Sequence, residues 1–256
     1  MSYHASNPRI AIVTGGSRGL GRSAVEALAR RGVWSILTYN SNRAAADEVV
    51  VAVEGAGAKA AALQLDTGDT SAFPVFAEAV GKVLGAWGAE RFDFLVNNAG
   101  TAHHAPLSEV TEEAFDTLYR VHVKGVFFLT QKLLPLMADG GRIVNLSSGL
   151  ARFAVPGSSA YASMKGAVEV MTRYFAKELG PRGIAANAVA PGAIATDFGH
   201  GRVRDNPEVN RMVASATALG RVGEAEDIGP LIAALLSEEG RWVNGQRIEA
   251  SGGMFL

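Results

Sequence analysis

What most constrains this chain is an alternation. Short β-branched or apolar runs take turns with stretches whose apolar residues recur every three or four positions, along nearly all of its 256 residues. The first run is Arg9-Ile10-Ala11-Ile12-Val13-Thr14, closing on Gly15-Gly16. Leu20, Ala24 and Leu28 then mark one helical face, and Arg30-Arg31-Gly32 ends it with cations near the negative pole of the helix dipole. Strand-like runs follow at 34–39, 58–65, 92–97, 142–146, 184–189 and 246–249. Between them helices are predicted at 44–53, at 71–84 with Pro74 in the first turn, from Thr111 toward Pro135, at 159–179 closed by Gly180-Pro181, and at 225–236. This order predicts an α/β fold, a doubly wound parallel sheet flanked by helices. No linker-like tract or internal repeat divides the chain, so residues 1–256 read as one domain. Such sheets bind ligands at the carboxyl ends of their strands, and the motifs below fall there.

Composition narrows the function. Lys and Arg number 24 against 25 Asp and Glu, a balance with no general attraction to nucleic acid or to an acidic membrane. With 48% hydrophobic residues the chain can bury a core, unlike a disordered one. Without cysteine it has no disulfide, thiolate nucleophile or cysteine-held metal. No apolar run approaches the roughly 18 residues that span a bilayer, and Met1–Pro8 lacks the basic-then-apolar pattern of a leader. The expectation is a soluble, cytoplasmic protein acting on a small molecule, with neither nucleic acid nor membrane as partner.

The first strand-to-helix turn carries a second signal. Gly15, Gly16, Ser17, Arg18, Gly19, Leu20 and Gly21 place glycines at a helix start, where backbone N–H groups carry partial positive charge and hold phosphate. The spacing differs from the usual Gly-x-Gly-x-x-Gly, but the strand before and helix after suit a dinucleotide. An NAD site places an acid about 20 residues on, for the ribose 2′-hydroxyl. Here Thr38 and Tyr39 lead into Asn40, Ser41, Asn42 and Arg43, with no acid. Arg18 and Arg43 suit a 2′-phosphate, with Asn40 and Ser41 as donors, so NADP(H) is favoured over NAD(H). The plain alternative makes Arg43 a solvated residue near a helix start.

Tyr161 and Lys165 lie four apart on one helical face, and Ser148 ends the strand before them. With Thr14–Gly21, Asp66, Asn97-Asn98-Ala99-Gly100, Asn187, Pro191-Gly192, Ile194, Thr196 and the stretch from Gly220-Arg221 to Gly252-Gly253, the sequence resembles the short-chain dehydrogenase/reductase family. The likeness covers essentially the whole chain and leans to the branch of 3-oxoacyl-carrier-protein reductase-like and glucose dehydrogenase-like enzymes. It implies a single Rossmann domain with a seven-stranded parallel sheet, a homotetramer built on long helices, and a substrate lid at 197–215. It also implies that Asp66 and Thr67 contact the adenine and that Asn98, Ala99 and Gly100 line the adenosine ribose. Pro191 and Gly192 belong to the same cofactor-binding stretch; Ile194 bonds the nicotinamide carboxamide and Thr196 approaches the pyrophosphate.

The chemistry follows. Tyr161 passes a proton to a carbonyl oxygen as hydride arrives from the cofactor, and Ser148 hydrogen-bonds and polarises that carbonyl. A tyrosine of pKa about 10 suits neutral pH poorly. One cation about 4 Å away is worth about 4 kcal/mol at an effective dielectric near 20, so Lys165 is expected to lower it and to hold the cofactor ribose. One residue departs from the family pattern Val-Asn-x-x-Gly: Val121-His122-Val123-Lys124-Gly125 has histidine in the asparagine's place. His122 reads either as a catalytic stand-in that titrates near neutral pH or as a core histidine on the stripe of Phe115, Leu118 and Val126. His103 and His104 read as substrate-shaping or as plain surface residues, with no metal role. Arg202 and Arg204 hint at an anionic substrate or are solvated. The leading reading is an NADPH-dependent carbonyl reductase or reversible alcohol dehydrogenase. The rivals are an NAD-dependent sugar or polyol dehydrogenase, and a nucleotide-sensing or scaffold protein of the same fold.

Overall fold

The structure, a computed structural model, describes residues 8–256. The first seven residues, read above for a leader, lie outside it. β1 (Ile10–Val13) is buried at every position, which is why it reads as an unbroken apolar run rather than an alternating one. Around it stand β2 (Trp34–Tyr39), β3 (Ala60–Gln64), β4 (Phe92–Asn97), β5 (Met137–Leu146), β6 (Ala185–Pro191) and β7 (Arg247–Ala250). Among the described residues these form one parallel sheet in the order β3-β2-β1-β4-β5-β6-β7. The chain winds outward from β1 to β3 and then continues on the other side of β1. That reversal opens a crevice at the carboxyl ends of β1 and β4.

The helices are α1 (Gly19–Ala29), α2 (Arg43–Gly55), α3 (Phe73–Ala86), α4 (Glu112–Tyr119), α5 (Gly125–Leu133), α6 (Ser159–Glu178), α7 (Arg202–Asp205), α8 (Pro207–Ser215) and α9 (Ala225–Leu236). α1, α2 and α9 bury Val25, Leu28, Val49 and Ile232 against one face of the sheet. α3, α5 and α6 bury Phe76, Val80, Leu129 and Phe175 against the other. Two apolar layers therefore clamp one sheet, as the alternation predicts. No helix among the described residues is long and apolar enough to cross a membrane.

Three stretches differ from expectation. The helix predicted from Thr111 to Pro135 is interrupted: α4 passes through a π turn, Arg120–Lys124, before α5 begins. The extra residue turns His122 inward, and Gly125 then lies on the Thr67 carbonyl so closely that a Cβ would overlap it. β5 begins at Met137, ahead of the predicted Arg142. Its register jumps across Gly140-Gly141, where Gly140 is left-handed (φ +74°) and a Cβ on Gly141 would meet the Met137 side chain at 2.7 Å. The segment 197–215, expected as a substrate lid with no helix assigned to it, contains the two short helices α7 and α8. Asn206 caps α8 by accepting from the Glu208 and Val209 N–H groups.

Candidate active site

The turn after β1 is fixed from both sides. Thr14 Oγ1 accepts the N–H groups of Asn98 (2.9 Å) and Ala99 (3.0 Å), and Thr38 Oγ1 accepts that of Gly15 (3.0 Å). The Asn98 side chain donates to the carbonyls of Thr14 (2.8 Å) and Gly15 (3.1 Å). Only glycine fits here: a Cβ on Gly21 would overlap the Gly15 carbonyl and lie 2.6 Å from Asn98 Nδ2. Gly15 itself is left-handed (φ +63°), with Ala99 Cα 3.0 Å from its Cβ position. No side chain caps the start of α1, because extended Arg18 turns away. The first N–H groups of α1 therefore face the crevice beside a bare backbone, with Thr196 closing the far side of Gly19 at 3.6 Å from its Cβ position. That cradle suits a diphosphate, which needs close backbone approach and a positive helix pole.

The Asn98 side chain is thus a brace for the glycine turn; only its backbone is left to line a ribose. Asp66 uses Oδ1 to accept the Gly68 N–H (2.8 Å), and Thr67 is buried under Gly125. Beyond β2, Asn40 and Ser41 are exposed. Arg43 opens α2, where it pairs with Asp47 at 2.9 Å and lies over the Tyr39 ring. Arg18 points instead to Asp197, at 3.9 Å. The two arginines read together in the sequence thus face different partners. On the other side, Gly192 packs on Ser251, and Ile194 is bridged to Gly223.

Tyr161 and Lys165 stand one turn apart on α6, 9% and 5% exposed, below half-buried Ser148 at the end of β5. The Lys165 ammonium donates to the Leu146 carbonyl at 2.6 Å and lies 5.5 Å from the Tyr161 ring centre. The expected lowering of the tyrosine is reversed in this arrangement. Burial pushes the Tyr161 phenol above its ordinary value, and the Ser148 hydroxyl works against that shift only in part. Lys165, bonded to Leu146 and itself buried, is pushed down to about 7.

His122 meets Tyr161 edge-on at 5.3 Å and bonds the Thr101 carbonyl through Nε2 at 2.7 Å. Nε2 therefore carries the proton, and Nδ1 is left buried with no protein partner among the described residues. Burial and Lys165 push His122 down to about 3. Both causes favour a neutral imidazole, below the near-neutral range in which a histidine ordinarily titrates.

Sequence reasoning missed Phe198, whose ring lies 5.9 Å from that of Tyr161, because it sits in a short exposed segment without periodicity. Arg204 is tied to Asp197 and Asp205, which removes it as evidence for an anionic substrate. His104 packs against Gly157, and burial, Arg202 and His103 all lower its pKa. Among the described residues no three metal-ligating side chains gather.

Known proteins resemble this chain in sequence and fold over nearly their whole length. A family model described as enoyl-(acyl carrier protein) reductase matches residues 15–255. An uncharacterized oxidoreductase of Methylorubrum extorquens is 37% identical, covering 96% of this chain and 97% of that protein. The crystal structure of the angucycline C-6 ketoreductase LanV with bound NADP superposes with a TM-score of 0.92 at 38% identity, covering 96% of this chain and 95% of that one. LugOII, described as a promiscuous reductase catalysing keto-reduction at C1 during lugdunomycin biosynthesis, gives 0.90 at 40% identity, covering 96% of each chain.

Proposed function

Since this chain belongs to the short-chain dehydrogenase/reductase family and is an oxidoreductase of the CH–OH/C=O pair, we propose that it is an NADPH-dependent ketone reductase, reversible as an alcohol dehydrogenase. The observation that carries this is the convergence of Ser148, Tyr161 and Lys165 beside the glycine cradle at one end of the sheet. NADPH, when bound, supplies the hydride. Gly15, Ser17, Gly19, Leu20, Gly21 and the first α1 amides hold its diphosphate, with Arg18, Asn40, Ser41 and Arg43 at the 2′-phosphate. Asp66, Thr67 and the 98–100 backbone hold the adenosine; Pro191, Gly192, Ile194 and Thr196 hold the nicotinamide end. The NADP bound by LanV supports the choice of cofactor.

Tyr161 enters the reaction protonated; burial, by raising its phenol, makes it a weaker acid, and the Lys165 charge offsets this as the phenolate forms. Its O–H bond breaks as the carbonyl oxygen gains that proton and becomes the product hydroxyl. Ser148 donates to the same oxygen and draws charge onto it. Lys165 stabilises the phenolate left on Tyr161 and binds the cofactor ribose. His122 serves by its neutral ring: Nε2 fixes Thr101, and Nδ1 accepts a hydrogen bond in the proton path. Residues 197–215 act as the substrate lid. Phe198 beside Tyr161 favours a substrate carrying an aromatic ring, and the ketoreductase LanV and the keto-reducing LugOII favour a ketone. Assembly as a homotetramer is supported by Phe127, Phe128, Val170 and Tyr174, which leave an apolar face exposed on α5 and α6.

Tyr161→Phe is expected to lower kcat by about a thousandfold while NADPH affinity, read by fluorescence titration, stays unchanged. Retained turnover overturns the assignment. In the same titration NADPH is expected to bind at least about tenfold tighter than NADH, a difference of about 1.4 kcal/mol.

A further inference from the structure

Behind Ser148 stand four charged side chains that neither the chemistry nor the cofactor uses. Ser147, the buried residue before it, donates through Oγ to Glu169 Oε1 at 2.6 Å. Glu169 lies one turn beyond Lys165 on α6. The same oxygen accepts Arg247 Nε at 2.7 Å. Arg247 Nη2 also reaches the Ser148 carbonyl at 3.4 Å, and Nη1 donates to Glu249 at 2.9 Å. Glu249 in turn accepts both arms of Arg152 at 2.7 Å. Arg152 closes the turn Gly149–Ala151 that begins at Ser148, and it is tied to the Met254 carbonyl at 2.9 Å.

The chain of charges alternates: Glu169, Arg247, Glu249, Arg152. Three of its side chains are 14%, 23% and 20% exposed, so most of their hydration is gone and each needs its neighbour. Removing one therefore disturbs the rest. The series grips the backbone on both sides of Ser148, through Ser147 before it and through the Ser148 carbonyl and Arg152 after it. None of the four touches the Tyr161 or Lys165 side chain by a hydrogen bond in the structure. Their leverage on the reaction runs through the placement of one hydroxyl.

We infer that Glu169 and Arg247 are positioning residues that fix Ser148 opposite Tyr161, with Glu249 and Arg152 anchoring the far side of the same turn. This rests on the reading of Ser148 as the carbonyl anchor. The test is a double-mutant cycle in the full chain, using the ketone that the wild-type protein reduces fastest in a screen and saturating NADPH. Arg247→Met is expected to lower kcat by about tenfold with KM within about twofold, and Arg247→Lys to recover part of the loss. In a Ser148→Ala background, Arg247→Met is expected to change kcat by less than about twofold, since the hydroxyl it places is gone. An equal tenfold loss in both backgrounds overturns the inference and leaves Ser148 in its role. If Ser148→Ala itself keeps full activity, the reading of Ser148 fails and the inference with it. Should Arg247→Met not fold, Glu169→Gln is near-isosteric and keeps an acceptor for Ser147. It is expected to show the same dependence on Ser148 at about threefold, and an equal effect in both backgrounds overturns the inference.

Discussion

The turn after β1 and the segment 197–215 border the same crevice and are built on opposite plans. In the turn, backbone makes the surface: Gly15 and Gly21 lie against other main-chain atoms, and Thr14, Thr38 and Asn98 hold them there. In the segment, side chains make the surface. Phe198 is 46% exposed, and Asp197, Arg204 and Asp205 pair with one another across two short helices. A surface made of backbone tolerates few substitutions, and each one is costly. A surface made of exposed side chains changes by single substitutions at little cost to the fold. The first plan suits the part of a ligand that never varies, the diphosphate; the second suits a substrate.

The largest expected break in this contrast is Gly21→Ala. Its Cβ overlaps the Gly15 carbonyl, so NADPH and NADH affinity should both fall by about a hundredfold, or about 2.7 kcal/mol, in a fluorescence titration with circular dichroism confirming the fold. Binding within twofold of wild type would show that the cradle is not backbone-made. Next comes His122, which walls the region between the two. Its pKa is pushed down from 6.5 to about 3, so on acidification the unfolded chain takes up a proton that the folded one refuses. Stability is lost as pH falls from 6.5 toward 3, and the His122 share at pH 5 is about 2 kcal/mol. In denaturant melts, His122→Asn should lose that much less than wild type between pH 7.5 and pH 5. Equal losses would place His122 in water, not in the wall.

Arg43→Ala comes third. It should weaken NADPH by about tenfold and leave NADH unchanged; an equal effect on both would remove the 2′-phosphate assignment. The smallest expected effect is at the lid. Phe198→Ala should raise the ketone KM by about threefold to tenfold with cofactor affinity and melting temperature unchanged. A fall in cofactor affinity instead would merge the two regions that the contrast separates.

Most of the fold was legible because its strands are buried on both faces and its helices carry one apolar stripe, which are the patterns local sequence records best. β2, β4 and α9 fall on the predicted residues. The π turn was not legible, since Arg120–Lys124 keeps an ordinary helical stripe and the Thr67 carbonyl that meets Gly125 comes from the loop after β3. The start of β5 was hidden by Ala138-Asp139-Gly140-Gly141, which reads as a turn and serves as a bulge. In the site, spacing made legible that Tyr161 and Lys165 share one helical face and that Ser148 follows a strand; their grouping as a set came from the family resemblance. The direction of the Tyr161 shift was not legible, because spacing says nothing of burial or of the Leu146 carbonyl that holds Lys165. Nor was the bracing role of Asn98, which depends on a turn about 80 residues away in sequence.

The π turn has a consequence for chain length. Each residue advances a helix by about 100°, so the extra residue at 120–124 sets α4 and α5 out of phase by that angle. Deleting one residue there would make a smoother helix and rotate all of α4, carrying Glu112, Glu113 and Asp116 off the water-facing side and Leu118 out of the core. An insertion would turn it the other way. In this stretch the number of residues is fixed more strictly than their kind.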